Sequence, residues 1–292
     1  MHRFVLHNRE LRDAREATIS PGQVGFLNGW GVFSTLRVSQ GVLFAFERHY
    51  ARLRRDAQLL RVPFNFAPEE LKLALLSLVD ANQAFDAVLR VAIVRNKGGL
   101  FESPGLTRDC DLLAFTANIA DWGESVRLAC VPNARFGASP FSGAKTTSWA
   151  QNLTWYEQAH ERGFDEVILL NEHSRVSECT SANIFVVYGS DVWTPPLSTS
   201  GCLPGVTRAI LLEDIHVPGV TIREKELTLS ELQESDTVFI TSTTRDLLPV
   251  ASIDGLPLKA TCHTLSLLRD AFATYRKTYN QKPDISPSLV SS

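Results

Sequence analysis

Lys145 stands in Ser142-Gly143-Ala144-Lys145-Thr146-Thr147-Ser148-Trp149, between a loop of small residues and a helix. A lysine held in a cleft among small polar neighbours can lose its proton and attack a carbonyl, forming a Schiff base with an aldehyde. Most lysines are solvated surface charges, and position alone does not lift Lys145 out of that class. Glu178 lies in Ser177-Glu178-Cys179-Thr180-Ser181-Ala182-Asn183, just before the apolar run Ile184-Phe185-Val186-Val187. A carboxylate at the mouth of a buried strand needs a positive partner, because an unpaired buried charge is costly, and no Lys or Arg adjoins it in sequence to pair with it. Cys179 beside it reads as a small buried thiol rather than a nucleophile.

Three further stretches could bind an anion. Arg52 follows His49 by three residues on one helix face, and a guanidinium matches phosphate oxygens in bidentate fashion. Leu203-Pro204-Gly205 makes a tight turn before Val206-Thr207-Arg208 opens an apolar helix. The free N–H groups of a helix start, with a threonine hydroxyl, form a phosphate cradle, although an ordinary capped helix reads the same way. Ser242-Thr243-Thr244 ends a strand with another group of hydroxyls and amides, a pattern shared with plain turns. No Walker loop, GxGxxG, HExxH, GxSxG or Asp-rich metal loop is present, so no metal site is expected.

The elements that must position these residues are legible in outline. Residues 3–6 and 31–38 read as strands, and 32–46 as a hairpin. Helices are expected over 47–60 and 67–82, and strands over 87–95, 111–119 and 125–131. The Gly/Ser-rich stretch 133–144 reads as an inter-domain linker. It would separate a smaller N-terminal unit (1–132) from a larger one (145–280), with a mobile tail over 281–292. In the second unit a helix over 148–162 precedes strands at 165–171 and 182–195. A helix from Thr207, strands at 221–227 and 236–242 and a last helix over 264–277 complete it. Strands and helices mix without strict βαβ alternation, which predicts a mixed α+β fold (α/β in the broad sense) in two domains.

Composition excludes other classes. The chain has 292 residues, is 44% hydrophobic and 21% charged, and carries a net charge of -3, which gives no electrostatic case for nucleic acid or an anionic membrane. No apolar stretch is long enough to span a bilayer. Five scattered cysteines with no CxxC pair argue against a disulfide framework and suit a reducing cytoplasm.

In order, GWGVFSTLRV, ERHYARL, AKTTSW, GFDEVILLNEHSRVSECTSANIFVV, VWTPPLSTSGCLPGVTR and FITSTTRDLLPV resemble the class IV (fold type IV) pyridoxal-phosphate aminotransferases. That group includes branched-chain and D-amino acid aminotransferases and aminodeoxychorismate lyase. The resemblance runs from about Gly25 to Val250. It implies pyridoxal 5'-phosphate as cofactor and a two-domain fold with a larger C-terminal pseudo-barrel. It also implies a homodimer with the active site at the domain boundary, and amino acid and 2-oxo acid substrates. By the same resemblance Lys145 holds the cofactor and moves the substrate proton, and Glu178 faces the pyridine nitrogen, which then supplies its positive partner in place of a side chain. Arg52, Val206, Thr207 and Thr243 form the phosphate site. Trp149 takes the place of a tyrosine near the phenolic oxygen. Phe33, Asn28, Arg90, Arg95 and Thr244 fall on the substrate side. Arg90 and Arg95 are five residues apart, on opposite faces of a regular strand, so at least one is structural or solvated. The LPGVTR turn resembles branched-chain aminotransferases, while Ser34 after Phe33, and Asn28 in place of a tyrosine, lean away from them. The expected reaction is transamination of a branched-chain L-amino acid with 2-oxoglutarate. Aminodeoxychorismate lyase, D-amino acid transamination and a cofactor-binding protein without turnover are the alternatives.

Overall fold

The computed structural model describes residues 1–281 and contains two sheets. The first is built from β1 (Phe4–His7), β2 (Glu10–Asp13), β3 (Gly31–Ser39), β4 (Val42–Leu43), β5 (Ala87–Arg95) and β6 (Cys110–Ala117), in the order β2-β1-β6-β5-β3-β4. Between them lie α1 (Val24–Leu27), α2 (Phe46–Leu59) and α3 (Pro68–Ala81). The antiparallel pairing of β3 with β5 sets Thr35 opposite Arg90 and Phe33 opposite Ala92. The expected hairpin over 32–46 shrinks to a two-residue β4. Ala45 takes a left-handed φ of 52°, turning the chain out of the sheet so that a helix begins at Phe46.

The second sheet holds β7 (Val126–Arg135), β8 (Glu166–Asn171), β9 (Val176–Cys179), β10 (Asn183–Tyr188), β11 (Asp191–Thr194), β12 (Thr221–Glu224), β13 (Thr237–Ser242), β14 (Asp246–Ile253) and β15 (Leu256–Pro257). Helices α4 (Ala150–Glu161), α5 (Leu197–Ser200), α6 (Val206–Glu213), α7 (Leu229–Glu234) and α8 (His263–Asn280) surround it. The strands β8 and β10 are almost wholly buried, and Phe185 stacks on Phe239 at 5.0 Å in the core. The first sheet ends at Ala117 and β7 already belongs to the second, so the chain crosses between sheets over 118–125. The stretch 133–144, read from composition as the linker, instead contains the end of β7. Parallel pairing with β8, with Arg135 opposite Asn171, draws its first three residues into the strand, while 136–144 holds turns as its composition suggests. The tail expected over 281–292 lies, beyond Gln281, outside the described residues.

Side chains of the second unit clamp the first. Phe44 sits edge-on to Phe272, Tyr275 and Tyr279 of α8. Arg48 of α2 pairs with Glu213 at 2.6 Å and Asp214 at 2.9 Å, at the end of α6. The residues that follow depend on this alignment of α2 with α6.

Candidate active site

Where the two units meet, a cavity of about 660 Å³ opens. Its wall takes Arg52 from α2, Thr35 and Arg90 from β3 and β5, Lys145 and Trp149 from the segment before α4, and Glu178 from β9. The turn Leu203–Gly205, the start of α6 and the stretch Thr241–Arg245 complete it.

Lys145 is fixed through its backbone. Its N–H donates to Asp56 Oδ2 at 3.1 Å, its carbonyl accepts from Phe33 N–H at 3.0 Å, and Thr147 N–H bonds Gly31 O at 3.0 Å. The segment is thus stitched to the edge of β3 and to α2, while α4 leaves it toward the second unit. The ammonium Nζ lies 4.6 Å from the Phe33 ring centroid and 5.7 Å from that of Trp149. Burial, reinforced by the Arg52 charge, brings its pKa down from the usual lysine value to about 7. An amine in that range is about half neutral at pH 7, and that fraction can act as a nucleophile.

One end of the cavity is built for an anion. Arg52 is buried on the inner face of α2, donating from Nη1 to Pro204 O at 3.3 Å and from Nη2 to Ser34 Oγ at 3.0 Å. Its Nε, buried, has no hydrogen-bond partner. Burial lowers its pKa to about 10, which still leaves it charged at neutral pH. Beside it α6 begins at Val206, with Gly205 as N-cap, so the N–H groups of its first turn lack intrahelical partners. Gly205 cannot be replaced there: a Cβ would meet the Asn183 side-chain oxygen at 2.0 Å. Asn183 in turn donates to Leu203 O at 2.8 Å, holding the turn in place. Thr207, Thr243 and Thr241 face the same space, and the Thr241 hydroxyl is another buried group without a partner. The Arg52 guanidinium, the Thr207 and Thr243 side chains and a helix start line one volume, which fits a phosphate group.

Glu178 lies at the cavity's deep wall, 8% exposed. Sequence reading left it without a side-chain partner, and the structure corrects this. Arg135 Nε stands 3.3 Å from Oε1, and Leu203 N–H donates to Oε2 at 3.0 Å. Burial raises the carboxyl pKa above its ordinary value, opposed first by the Arg135 charge. Deeper still, Arg245 Nη2 lies 3.2 Å from the fully buried Glu166, which also accepts from Ser181 Oγ at 2.5 Å; the Arg245 guanidinium sits 3.7 Å over the Trp122 ring.

The remaining expected residues divide. Arg90 is on the wall, its Nε 3.3 Å from Thr35 Oγ1 and its guanidinium 4.7 Å over the Phe33 ring; Thr244 and Trp149 also line the cavity. Phe33 lies buried beneath Arg90 and Lys145, the apolar floor that holds both cations. Asn28 and Arg95 are not on the wall. Asn28 ends α1 and is exposed. Arg95 emerges on the other face of β5, stacks 4.2 Å over Trp30 and donates to Lys97 O and Arg61 O. Ser34 is buried against Arg52 and His49 Nδ1 (2.9 Å) rather than facing the cavity. Cys179 is fully buried, its thiol pKa pushed well up by burial.

The family model for amino-transferase class IV matches residues 31–253. D-alanine aminotransferase of Bacillus licheniformis is 31% identical over 255 residues, 86% of this chain and 88% of that protein. Branched-chain-amino-acid aminotransferase of Salmonella typhimurium is 28% identical over 265 residues, 87% and 85% of the two chains. Among solved structures, branched-chain aminotransferase from Thermoproteus uzoniensis with norvaline superposes with a TM-score of 0.84 at 26% identity, covering 97% of each chain. The match spans both sheets and every element that lines the cavity, and the chain belongs to the class IV aminotransferases.

Proposed function

We propose that this protein binds pyridoxal 5'-phosphate and transfers an amino group between an amino acid and a 2-oxo acid, with 2-oxoglutarate and a branched-chain L-amino acid as the pair. The observation that carries the reading is Lys145, an amine with a pKa of about 7, sharing one cavity with a buried carboxylate and an anion seat. Arg52, the Val206 and Thr207 amides and Thr243 would hold the phosphate, Glu178 the pyridine nitrogen and Lys145 the aldehyde carbon. When bound, the cofactor withdraws electrons from the substrate Cα, which makes its proton removable. Lys145 takes that proton and returns it elsewhere, acting as general base and then acid. Arg90, with burial lowering its pKa but leaving it a cation, receives a substrate carboxylate. Phe33 beneath and Trp149 beside it exclude water from the reacting end. The working assembly proposed is a homodimer, read by light scattering.

A panel of L-leucine, D-alanine and aminodeoxychorismate, each with added cofactor and with 2-oxoglutarate for the two amino acids, tests the reading. L-Leucine is expected to yield glutamate, and Arg90→Met to raise KM for 2-oxoglutarate about 10- to 100-fold, the loss of one charge-assisted pair. Glutamate from D-alanine alone, or pyruvate from aminodeoxychorismate, would replace it with one of the other reactions. Because Ser34 turns to Arg52 and His49, its hydroxyl gives the lyase reading no substrate-facing group.

The lysine's titration makes a second expectation. The amine attacks only when neutral, so uptake of pyridoxal phosphate by the cofactor-free protein should accelerate as pH rises through about 7 and level off above 8. Stopped-flow absorbance from pH 5.5 to 9 reads it. A rate still climbing steeply at pH 9 would mean that Lys145 keeps the ordinary lysine value.

A further inference from the structure

We propose that Arg135 is a positioning residue for the cofactor's ring nitrogen: it holds the Glu178 carboxylate turned into the cavity as an anion, so the grip on a protonated pyridine depends on both residues. The proposal rests on the cofactor reading above and concerns how that site is set rather than what it binds.

Arg135 reaches Glu178 through a local device. The pairing of β7 with β8 shifts register between Val131 and Arg135, and Asn133 takes a left-handed φ of 53°. Such a bulge re-aims the side chain that follows it, and here it delivers Arg135 to a carboxylate 43 residues downstream. The guanidinium is oriented from behind: Nη2 donates to Asn152 Oδ1 at 3.2 Å, and Asn152 Nδ2 donates to Thr180 O at 2.7 Å. One carboxylate oxygen therefore meets Arg135 and the other the Leu203 N–H, which fixes the plane of the group. Each oxygen keeps a free lone pair for a ligand.

The charge arrangement favours this role. The titratable groups facing Glu178 are Arg135 from β7, Lys145 from the segment before α4, Arg52 from α2, Cys202 from the turn before α6 and Cys179 next to it on β9. Both thiols stay neutral, Cys202 pushed up to about 11 by burial and Cys179 higher still. Lys145 is partly neutral near pH 7 and loses its charge altogether on joining an aldehyde. Arg52 has the phosphate to neutralise. Arg135 alone among them remains a dedicated counter-charge. Without it, burial drives Glu178 toward its protonated form, and a neutral acid cannot form an ion pair with a pyridinium.

The test is the dissociation constant for pyridoxal phosphate in wild type, R135Q, R135K, E178Q and R135Q/E178Q from pH 6 to 8.5. It is read by tryptophan fluorescence and by the visible band of the lysine-bound cofactor. Lys145 titrates in every variant and cancels in the ratio of each variant to its parent. For R135Q over wild type that ratio should be about tenfold at the acid end of the range and shrink toward one as pH rises and Glu178 loses its proton. R135K should stay within about threefold, and in the E178Q background the R135Q effect should lose its pH dependence. A ratio that is the same at every pH, or R135K as impaired as R135Q, makes Arg135 a structural residue only and overturns the proposal. If R135Q does not fold, R135K decides alone: a flat ratio under about threefold supports the proposal, and tenfold or more sinks it. Wild type with no visible band and no fluorescence change at any pH would fail the cofactor reading itself, an outcome distinct from a flat variant ratio.

Discussion

Replacing Lys145 with alanine should leave a folded protein that binds pyridoxal phosphate without the visible band of the lysine-bound form and turns over at least about 10⁴-fold more slowly. General acid–base help alone supplies roughly 10²–10⁴-fold, and the same amine also provides the covalent step, so losing both exceeds either. The structure explains why the effect should fall on chemistry rather than on folding. The segment is held by the Lys145 N–H on Asp56, its carbonyl on Phe33 N–H and Thr147 N–H on Gly31, none of which involves the side chain. Removing a partly buried amine from beside Arg52 and Arg90 also relieves like-charge repulsion, so the melting temperature should be equal or slightly higher. No other lysine lines the cavity among the described residues, so none can substitute. Borohydride reduction with bound cofactor should label wild type at Lys145 and leave the variant unlabelled. A variant that keeps the band, or retains turnover within tenfold, removes Lys145 from the mechanism.

One face that carries this site departs from the usual pattern. An amphipathic helix should bury apolar residues at helical spacing, yet the inner face of α2 buries His49, Arg52 and Asp56 along with Phe46, Leu53 and Ala57. Charged residues on such a stripe are costly unless each has a partner. Arg52 faces the anion seat and Asp56 the Lys145 backbone; the spacing put Arg52 on the face of His49, and the family resemblance, not the period, gave it the phosphate role. Asp56 was nevertheless missed, because its partner is a backbone N–H 89 residues away and no local pattern encodes that contact. Arg135 was missed for a related reason. Its position depends on a bulge inside a segment whose small residues read as a linker, and the pairing with β8 that makes it a strand is non-local. Arg90 and Arg95 show the opposite case. The two-residue period of a strand forces them to opposite faces, and the structure puts Arg90 on the cavity wall and Arg95 on Trp30. Periodicity thus carried the faces of elements, while contacts between distant elements, which assemble the cavity, stayed outside its reach.

The second large effect concerns Glu178. Glu178→Gln should keep the visible band of the lysine-bound cofactor yet lower kcat by about 10²–10³-fold, the size of losing one well-placed charge in a water-poor site. Three anchors remain in the variant: Lys145, the Arg52 seat and the start of α6. Cofactor binding should therefore weaken far less than turnover. Glutamine is isosteric and its carbonyl oxygen can still accept from Arg135, while its amide nitrogen cannot accept from the Leu203 N–H, so one backbone bond of the wall is given up. What it cannot do is hold a proton on the ring nitrogen by ion pairing. That positive charge matters most when the Cα proton leaves and negative charge must be accommodated, a demand greater in the transition state than in the ground state. The loss should therefore appear in kcat, with KM for the amino donor changed by less than about threefold, because the seat proposed for the substrate carboxylate is Arg90 and not Glu178. A substrate deuterated at Cα should show a larger isotope effect in the variant, since proton removal becomes the slowest step. If KM rises while kcat is unchanged, Glu178 contributes to substrate binding instead. If kcat and the isotope effect both stay at wild-type values, the ring nitrogen does not need this carboxylate, and the buried pair with Arg135 serves only the fold.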